Sequence, residues 1–225
     1  MQFEDLKKYH VILASKSPRR QFLLENLGLS FEVKTKEVDE SFPEELKAQE
    51  IPLYLCKKKV NAFDENLNEH TILITADTIV WVEGQVLNKP KNYEEAVHML
   101  QLLSGKMHKV YTGVCLKSKH KLNSFFVKTN VYFKKLSNNE IDGYITAHHP
   151  FDKAGSYGAQ ECLPTGMNPC SEDELSFLNK LNKISLAQSS IQKDTEYAFI
   201  KKVEGSYFNV MGLPLKELYK ELLAF

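Results

Sequence analysis

The sequence lacks the features that would place the chain in a membrane or in an oxidising compartment. It has no apolar run close to the roughly 20 residues that a membrane-spanning helix needs. Its four cysteines show neither CxxC spacing nor the density of a disulfide scaffold, and its first residues show no apolar segment typical of a signal peptide. We therefore expect a soluble, cytoplasmic protein with reduced thiols.

The sequence also lacks an excess of charge of either sign. Lysine and arginine together number 29, and so do aspartate and glutamate, so the formal net charge is zero. A neutral chain has no overall field that would attract nucleic acid or an anionic membrane, and we expect neither as a partner. Any anion site must therefore be local.

With 225 residues, of which 43% are hydrophobic, the chain can form a substantial core.

Several familiar site motifs are missing. There is no GxxxxGK[ST] or GxGxxG stretch, which excludes a P-loop or Rossmann nucleotide site as a motif-based interpretation, and there is no GxSxG elbow. The histidines form no HxxxH or HExxH pattern, which argues against a zinc site. The adjacent pair His148 and His149 is better interpreted as the end of a helix.

Apolar periodicity and turn residues predict alternating strands and helices. Gly28 and Gly105 are predicted to end helices, Glu83 and Gly84 to form a hairpin turn, and Ser137 to cap a helix. This order implies a layered α/β or α+β domain. Strands are predicted at 11–14, 31–38, 71–75, 110–117, 124–133 and 196–203, and helices at 22–27, 43–67 with a break at Pro52, 93–103, 137–147 and 214–225, where Pro214 occupies the first turn.

A polar segment at 161–194 differs in character from the rest of the chain. It carries one weakly periodic helical stretch and follows a glycine-rich loop. We interpret it as an insertion within one domain that covers residues 1–225, because it is far longer than an ordinary loop.

The stretch ASKSPRR, between the first strand and the first helix, has the composition of a phosphate site. Ser17 can cap the helix, and Pro18 suits its first turn. Helix starts carry a partial positive charge, to which Arg19 and Arg20 add guanidinium groups that bind phosphate oxygens bidentately. The alternative is a capped surface helix with solvated arginines.

The stretch ITADTIV places Asp77, followed by Thr78, directly after the buried strand predicted at 71–75. A carboxylate at the carboxyl end of a strand can hold a divalent ion or take a proton from water. A turn-capping aspartate is the alternative. Lys59 and Lys89 are further cations, although most such lysines are simply solvated.

The stretch PFDKAGSYGAQ combines flexibility with polar groups. Gly155 and Gly158 permit close backbone approach, and Lys153 brings positive charge. The amide of Gln160 offers both a donor and an acceptor, which suits it to a base edge. A glycine-rich connecting loop is the alternative.

Taken together, these stretches resemble the Maf family of nucleoside triphosphate pyrophosphatases. The matching pieces are ASKSPRR, VDE at Val38–Glu40, Lys59, ADTIV, NKP, LLSGKMHKVYTGV, DKAGSYGAQ and EGSYFNVMGLPL, which follow the family's order and cover nearly the whole chain apart from 161–194. The resemblance implies an α/β fold with an elongated mixed β-sheet flanked by helices, in two lobes with a central cleft, as in inosine triphosphate pyrophosphatases. It also implies a homodimer.

The resemblance further implies hydrolysis between the α- and β-phosphates, which releases the monophosphate and pyrophosphate with a divalent metal, Mg²⁺ or Mn²⁺. Asp77 matches the proton acceptor, and Asp77 with Glu40 would hold the metal. Phosphate contacts are implied for Ser15, Arg19, Arg20, Lys59 and Lys89, and substrate choice for Arg19, Thr78 and Gln160.

Lys153 and Gln160 resemble the family branch that acts on dTTP and UTP. An amide can pair with O4 and N3–H of thymine or uracil, whereas a carboxylate would be repelled by these carbonyls and favours the N–H groups of guanine. We therefore expect a dTTP and UTP pyrophosphatase. The alternatives are a 7-methyl-GTP pyrophosphatase and a non-catalytic nucleotide-binding regulator of cell division; a pure binder would gain nothing from Asp77 and Glu40 without a metal.

Overall fold

A seven-stranded mixed sheet forms the framework of the computed structural model, which describes residues 3–63, 67–190 and 196–225. Its strands are β1 (His10–Leu13), β2 (Phe31–Val33), β3 (Thr71–Val82), β4 (Gln85–Leu87), β5 (Met107–Lys117), β6 (Leu122–Phe133) and β7 (Ile200–Glu204). The α-helices are α1 (Pro18–Leu27), α2 (Glu50–Asn61), α3 (Tyr93–Leu103), α4 (Asn138–His148), α5 (Glu172–Lys180), α6 (Ser185–Ser189), α7 (Tyr207–Met211) and α8 (Leu215–Ala224).

The strand order is β2-β1-β3-β5-β6-β7, with β4 beside β3. Strand β1 runs parallel to β2 and β3, whereas β3 with β4 and β6 with β7 are antiparallel. The predicted α/β fold with a mixed sheet and flanking helices is therefore confirmed. The predicted cleft between two lobes stays a prediction.

The chain divides into two compact units. The first comprises Met1–Thr78, Tyr111–Val127 and Gly212–Phe225, and the second comprises Ile79–Val110 and Lys128–Met211. The interpretation of residues 1–225 as one domain with an insertion at 161–194 stays a prediction, and residues 191–194 of that segment lie outside the described residues.

The first unit begins with a buried strand followed by a well-capped helix. Ser17 accepts a hydrogen bond from Arg20 N, Pro18 opens α1, and Gly28 ends it at φ 90°, in the left-handed region that favours glycine. These features were predicted and are confirmed. Leu23, Leu24 and Leu27 form the buried stripe of the helix.

Helix α2 packs very closely on β5. A Cβ atom at Gly113 would lie 2.6 to 2.7 Å from the backbone of Pro52 and Leu53, so only glycine permits this approach.

The predicted helix over 43–67 is wrong in its bounds, since α2 covers Glu50–Asn61. Pro52 lies in the first helical turn, where its missing N–H is not needed, so the helix starts just before it.

Other predicted boundaries also need correction. The strand predicted at 31–38 ends at Val33, where the chain becomes largely exposed, and the strand predicted at 196–203 is β7. Pro214 lies at the N-cap of α8 rather than in its first turn. Such shifts are expected because local pattern fixes the existence of an element better than its ends.

The second unit contains the predicted hairpin and two helices with defined caps. Glu83 and Gly84 have φ values of 48° and 83° and join β3 to β4. Ser137 and Glu140 form a reciprocal capping box at the start of α4, and left-handed His149 ends that helix. The hairpin turn, the serine cap and the histidine end of the helix are all confirmed.

The segment predicted as an insertion contains two helices, α5 and α6, rather than one helical stretch. Ser171 and Glu174 form a capping box at the start of α5, and Glu174 is also bound to the start of α7. Leu178 and Leu186 are buried. The described part of this segment is thus packed into the second unit.

Candidate active site

The loop between β1 and α1 brings a serine hydroxyl and a partly buried arginine together. Ser15 is 7% exposed, and its Oγ accepts hydrogen bonds from Ser17 N at 3.2 Å and Arg20 Nη1 at 3.3 Å. A hydroxyl has two acceptor sites and one donor, so the group that Ser15 can offer a ligand is its O–H. That suits the predicted contact to a phosphate oxygen.

Arg20 binds protein acceptors on several segments of the first unit. Its Nε donates to Gly212 O at 2.8 Å, its Nη1 to Ala76 O at 2.9 Å, and its Nη2 to Thr78 Oγ1 at 3.0 Å. With the contact to Ser15, four of its five N–H donors have acceptors in the protein. The predicted phosphate contact of Arg20 stays a prediction, while the structure shows a guanidinium that organises the loop.

The acceptors of Arg20 lie on both sides of Asp77 in the chain, at Ala76 and Thr78. Burial lowers the pKa of the Arg20 guanidinium, and the nearby Asp77 carboxylate opposes that shift. Arg20 therefore fixes the strand on which Asp77 is presented.

Asp77 does not follow a strand, and this placement corrects the predicted one. Strand β3 continues from Thr71 to Val82 without interruption, so Asp77 lies in its interior. Apolar residues on both sides of Asp77 continue the strand. The buried carboxylate is tolerated because the ammonium of Lys59 neutralises its charge.

Lys59 joins the two predicted acidic residues. Its Nζ contacts Asp77 Oδ1 and lies 3.0 Å from Glu40 Oε1. The side chains of Lys59 and Asp77 are 16% and 12% exposed, whereas that of Glu40 is 48% exposed. The close packing of α2 on Gly113 places Lys59 here. The structure thus brings Lys59, Asp77 and Glu40 together.

The chemistry of these side chains is compatible with a divalent cation. The described residues contain no group of three or more histidine, cysteine, aspartate or glutamate side chains suited to a metal. Mg²⁺ commonly binds through one or two carboxylates together with substrate phosphates. Asp77 and Glu40 already hold one cation, the ammonium of Lys59, between them, and they supply such a pair.

Thr78 connects this cluster to a residue that the sequence did not single out. Its hydroxyl lies 2.9 Å from Thr112 Oγ1 and accepts from Arg20. Thr112 is fully buried in β5. It was missed because a threonine in a strand has no distinctive pattern, although it belongs to the VYTGV stretch.

Of the remaining predicted residues, Arg19 lies in α1 of the first unit, and Lys89 and Gln160 lie in the second unit. Lys89 follows β4, and the carbonyl of its neighbour Asn88 accepts from Gly155 N at 3.2 Å, which joins the NKP stretch to the DKAG stretch. Gln160 lies in the short 3-10 turn Ala159–Glu161. That Lys89 and Gln160 share one site with the cluster of the first unit stays a prediction.

Two residues of the second unit were missed by the sequence analysis. Tyr144 donates its hydroxyl to Glu161 Oε2 at 2.6 Å, next to Gln160 in the chain. Glu161 Oε1 also lies 3.5 Å from Lys153 Nζ. No spacing in the sequence links a tyrosine of α4 to this turn, so only the fold could have identified the pair.

Within the described residues, none of the helices has the length and apolar character required to cross a bilayer.

Comparison with known proteins supports one family. The family model described as Maf-like protein matches residues 10–165 and 165–225. A dTTP/UTP pyrophosphatase of Phocaeicola vulgatus is 44% identical over 220 residues, which cover 97% of each chain. One of Parabacteroides distasonis is 40% identical over 223 residues, which cover 99% of each.

A solved structure, the Ham1 protein of Staphylococcus aureus, matches with a TM-score of 0.39 and 10% identity. The match covers 55% of this chain and 71% of that one. This similarity is too weak to support a conclusion. The family model and the curated relatives extend over nearly the full length. On that evidence, the chain belongs to the Maf-like protein family.

Proposed function

We propose that the protein hydrolyses dTTP and UTP to the nucleoside monophosphate and pyrophosphate. The observation that carries the proposal is the ammonium of Lys59 held between Asp77 and Glu40, in the same unit as the loop organised by Arg20. A cluster of two carboxylates and a cation suits metal-assisted attack on a phosphoanhydride. The near full-length relatives named dTTP/UTP pyrophosphatase support the same reaction.

Asp77 acts as the proton acceptor in this mechanism. A water attacks the α-phosphorus, the bond from that phosphorus to the α–β bridging oxygen breaks, pyrophosphate leaves, and the water's proton passes to the Asp77 carboxylate. Lys59 shifts its ammonium toward the incoming phosphate oxygens, which exposes Asp77 Oδ1 to the water. Ser15 donates its O–H to a phosphate oxygen.

A divalent cation, Mg²⁺ or Mn²⁺, would be held by Asp77 and Glu40 and would supply positive charge against the phosphate oxygens. Arg19 and Lys89 add cations that position the polyphosphate, and such positioning supplies much of the acceleration in phosphoryl transfer.

Gln160 reads the base in this proposal, with Arg19 and Thr78 contributing to substrate choice. Its amide donates to O4 and accepts from N3–H of thymine or uracil. Lys153 lies seven residues earlier and is nearly buried, at 8% exposure. It holds its ammonium between Asp152 and Glu161, which makes it part of the support of this loop.

A panel of triphosphates tests the proposal. The purified protein is incubated with dTTP, UTP, CTP, GTP or 7-methyl-GTP, with Mg²⁺, Mn²⁺ or a chelator, and pyrophosphate is assayed against orthophosphate. We expect pyrophosphate from dTTP and UTP and none with the chelator. Orthophosphate as product, preference for 7-methyl-GTP, or nucleotide binding without turnover would each overturn the proposal.

We further propose that the protein acts in the cytoplasm on free nucleotides and forms a homodimer. Light scattering of the purified chain tests the dimer, and a monomeric mass across the working concentration range would refute it.

A further inference from the structure

The turn that carries Gln160 is closed by the backbone itself. Glu161 N donates to Gly158 O at 3.2 Å, and Cys162 N donates to Ala159 O at 3.3 Å. These bonds shape the 3-10 turn Ala159–Glu161, and Ile200 N donates to the carbonyl of the next residue, Cys162, at 2.9 Å. The position of the Gln160 amide therefore depends on what holds the two ends of this turn.

One tyrosine hydroxyl holds both ends. Tyr144 Oη accepts from Gly158 N at 2.9 Å and donates to Glu161 Oε2 at 2.6 Å. Ala159 and Gln160 lie between these two anchoring points. Tyr144 is fully buried, and burial together with the charge of Glu161 raises its pKa well above the ordinary value. The phenol therefore stays protonated and remains a donor to Glu161.

The Glu161 carboxylate is itself confined. A Cβ atom at Gly158 would lie 2.7 Å from Glu161 Oε2, so the carboxylate rests against the bare face of this glycine. Its other oxygen lies 3.5 Å from Lys153 Nζ, which also donates to Asp152 Oδ1 at 3.0 Å. The carboxylate thus links Tyr144, on α4, to Lys153 and to the turn.

We propose that Tyr144 and Glu161 form a positioning pair that sets the base selectivity of the enzyme by fixing the turn that carries Gln160. The proposal rests on the proposed function, in which Gln160 reads the base. An amide offers a donor and an acceptor side by side, so a mobile amide can satisfy the edge of cytosine as well as that of uracil. Discrimination between them requires the amide to be held in one place.

Tyr144→Phe removes only the hydroxyl and leaves Gly158 N–H and Glu161 without this partner. We expect the ratio of kcat/KM for UTP over CTP to fall about tenfold, since a lost hydrogen bond to a charged group has that scale. The change should come mainly from KM, with kcat for UTP within about threefold of wild type. Steady-state kinetics with both nucleotides measures it.

Tyr132→Phe is the matched control. Tyr132 also lies in the second unit and donates its hydroxyl to a glutamate, Glu204 Oε2, at 2.6 Å. Its removal deletes a tyrosine–glutamate hydrogen bond of the same length in β6, at a half-buried tyrosine. The selectivity ratio of this variant should equal that of wild type within about twofold.

Two further variants keep the inference testable if Tyr144→Phe folds poorly. Glu161→Gln keeps an acceptor for the tyrosine and should retain part of the selectivity, whereas Glu161→Ala should lose as much as Tyr144→Phe. The double variant Tyr144→Phe with Glu161→Ala should be no less selective than either single variant, because both changes break one unit.

The outcomes separate the two proposals. A wild-type protein that releases no pyrophosphate from UTP overturns the proposed function and this inference with it. A wild-type protein that prefers UTP, with folded Glu161→Ala and Tyr144→Phe variants of unchanged preference, overturns the positioning pair alone. A fall in rate that is equal for UTP and CTP would assign the pair a purely structural role and would also overturn the inference.

Discussion

Asp77 in the first unit and Glu174 in the second are both buried carboxylates, 8% and 2% exposed, yet their partners differ in kind. Asp77 is bound by the flexible side chain of Lys59, a full positive charge. Glu174 is bound by neutral donors at the start of α7, namely Ser206 Oγ at 2.6 Å, Tyr207 N at 3.0 Å and Phe208 N at 3.3 Å.

These partners determine which carboxylate can take part in chemistry. A lysine side chain can move to a phosphate and leave the carboxylate to a metal or a proton, whereas backbone N–H groups cannot leave without unfolding the helix start. Asp77 is therefore suited to a reaction and Glu174 to stability. Substitutions at the two positions test the two sides of this contrast.

Asp77→Asn should have the largest effect on activity. The amide retains the shape of the side chain but can neither accept the water's proton nor hold a cation well, so we expect kcat to fall by about 10³-fold or more. Pyrophosphate release from UTP measures it. The melting temperature should change little because Glu40 still pairs with Lys59, and near-wild-type turnover would remove Asp77 from the mechanism.

Glu174→Gln should have the opposite profile. Its amide places a donor among the N–H and O–H donors of Ser206, Tyr207 and Phe208, and we expect a loss of about 3 kcal/mol in the free energy of unfolding. Activity per folded molecule should be unchanged. Urea denaturation measures the loss.

Glu172→Gln, two residues earlier and exposed, is the control and should be neutral. The contrast between the two carboxylates would break if Glu174→Gln lowered kcat while leaving the unfolding midpoint in place.

Much of this site was accessible to sequence reasoning because its parts are local. Ser17, Pro18 and Gly28 define a helix by capping chemistry alone, and the structure confirms all three positions. The carboxylates and Lys59 were identified individually. The resemblance implied that Asp77 and Glu40 act together, but the position of the Lys59 ammonium between them was not predicted, because it requires α2 to pack on Gly113, which is a tertiary event.

The sequence was less informative where function depends on distant partners. Asp77 was placed after a strand because that strand was predicted to end at residue 75 and the hairpin to start beyond it, whereas β3 runs without a break from Thr71 to Val82. Tyr144, Glu161 and Thr112 carry no motif of their own. Their roles arise from hydrogen bonds that join different elements, and no periodicity encodes such bonds.

Arg20→Lys tests an intermediate case, a partly buried cation held by neutral acceptors. A single ammonium cannot reach Ser15, Ala76, Thr78 and Gly212 at once, so the strand around Asp77 loses its support. We expect kcat/KM for UTP to fall about 10²-fold. Arg19→Lys, at the half-exposed neighbour, retains the charge and should lose less; the reverse ranking would contradict the organising role of Arg20.

His108, unlike Asp77, is a buried titratable group without an ionic partner. It affects the stability of the protein only at acidic pH. It is 1% exposed, its Nε2 lies 2.8 Å from Tyr157 Oη, and its Nδ1 has no hydrogen-bond partner among the described residues. Burial lowers the pKa of His108 from 6.5 to about 3. Below pH 6.5 the His108 side chain is protonated in the unfolded chain, whereas in the folded chain it stays neutral down to about pH 3. The free energy of unfolding therefore falls as the pH decreases from 6.5 to about 3.

From the His108 pKa alone, the free energy of unfolding should be about 2 kcal/mol lower at about pH 5 than at about pH 8. His108→Gln should reduce that acid sensitivity by a similar amount, whatever it does to stability at neutral pH, because the variant has no group to protonate there. His98→Gln, at an exposed position in α3, should keep the wild-type slope. Urea denaturation at several pH values measures all three proteins, and equal slopes would show that His108 titrates in the folded state as it does in the unfolded chain.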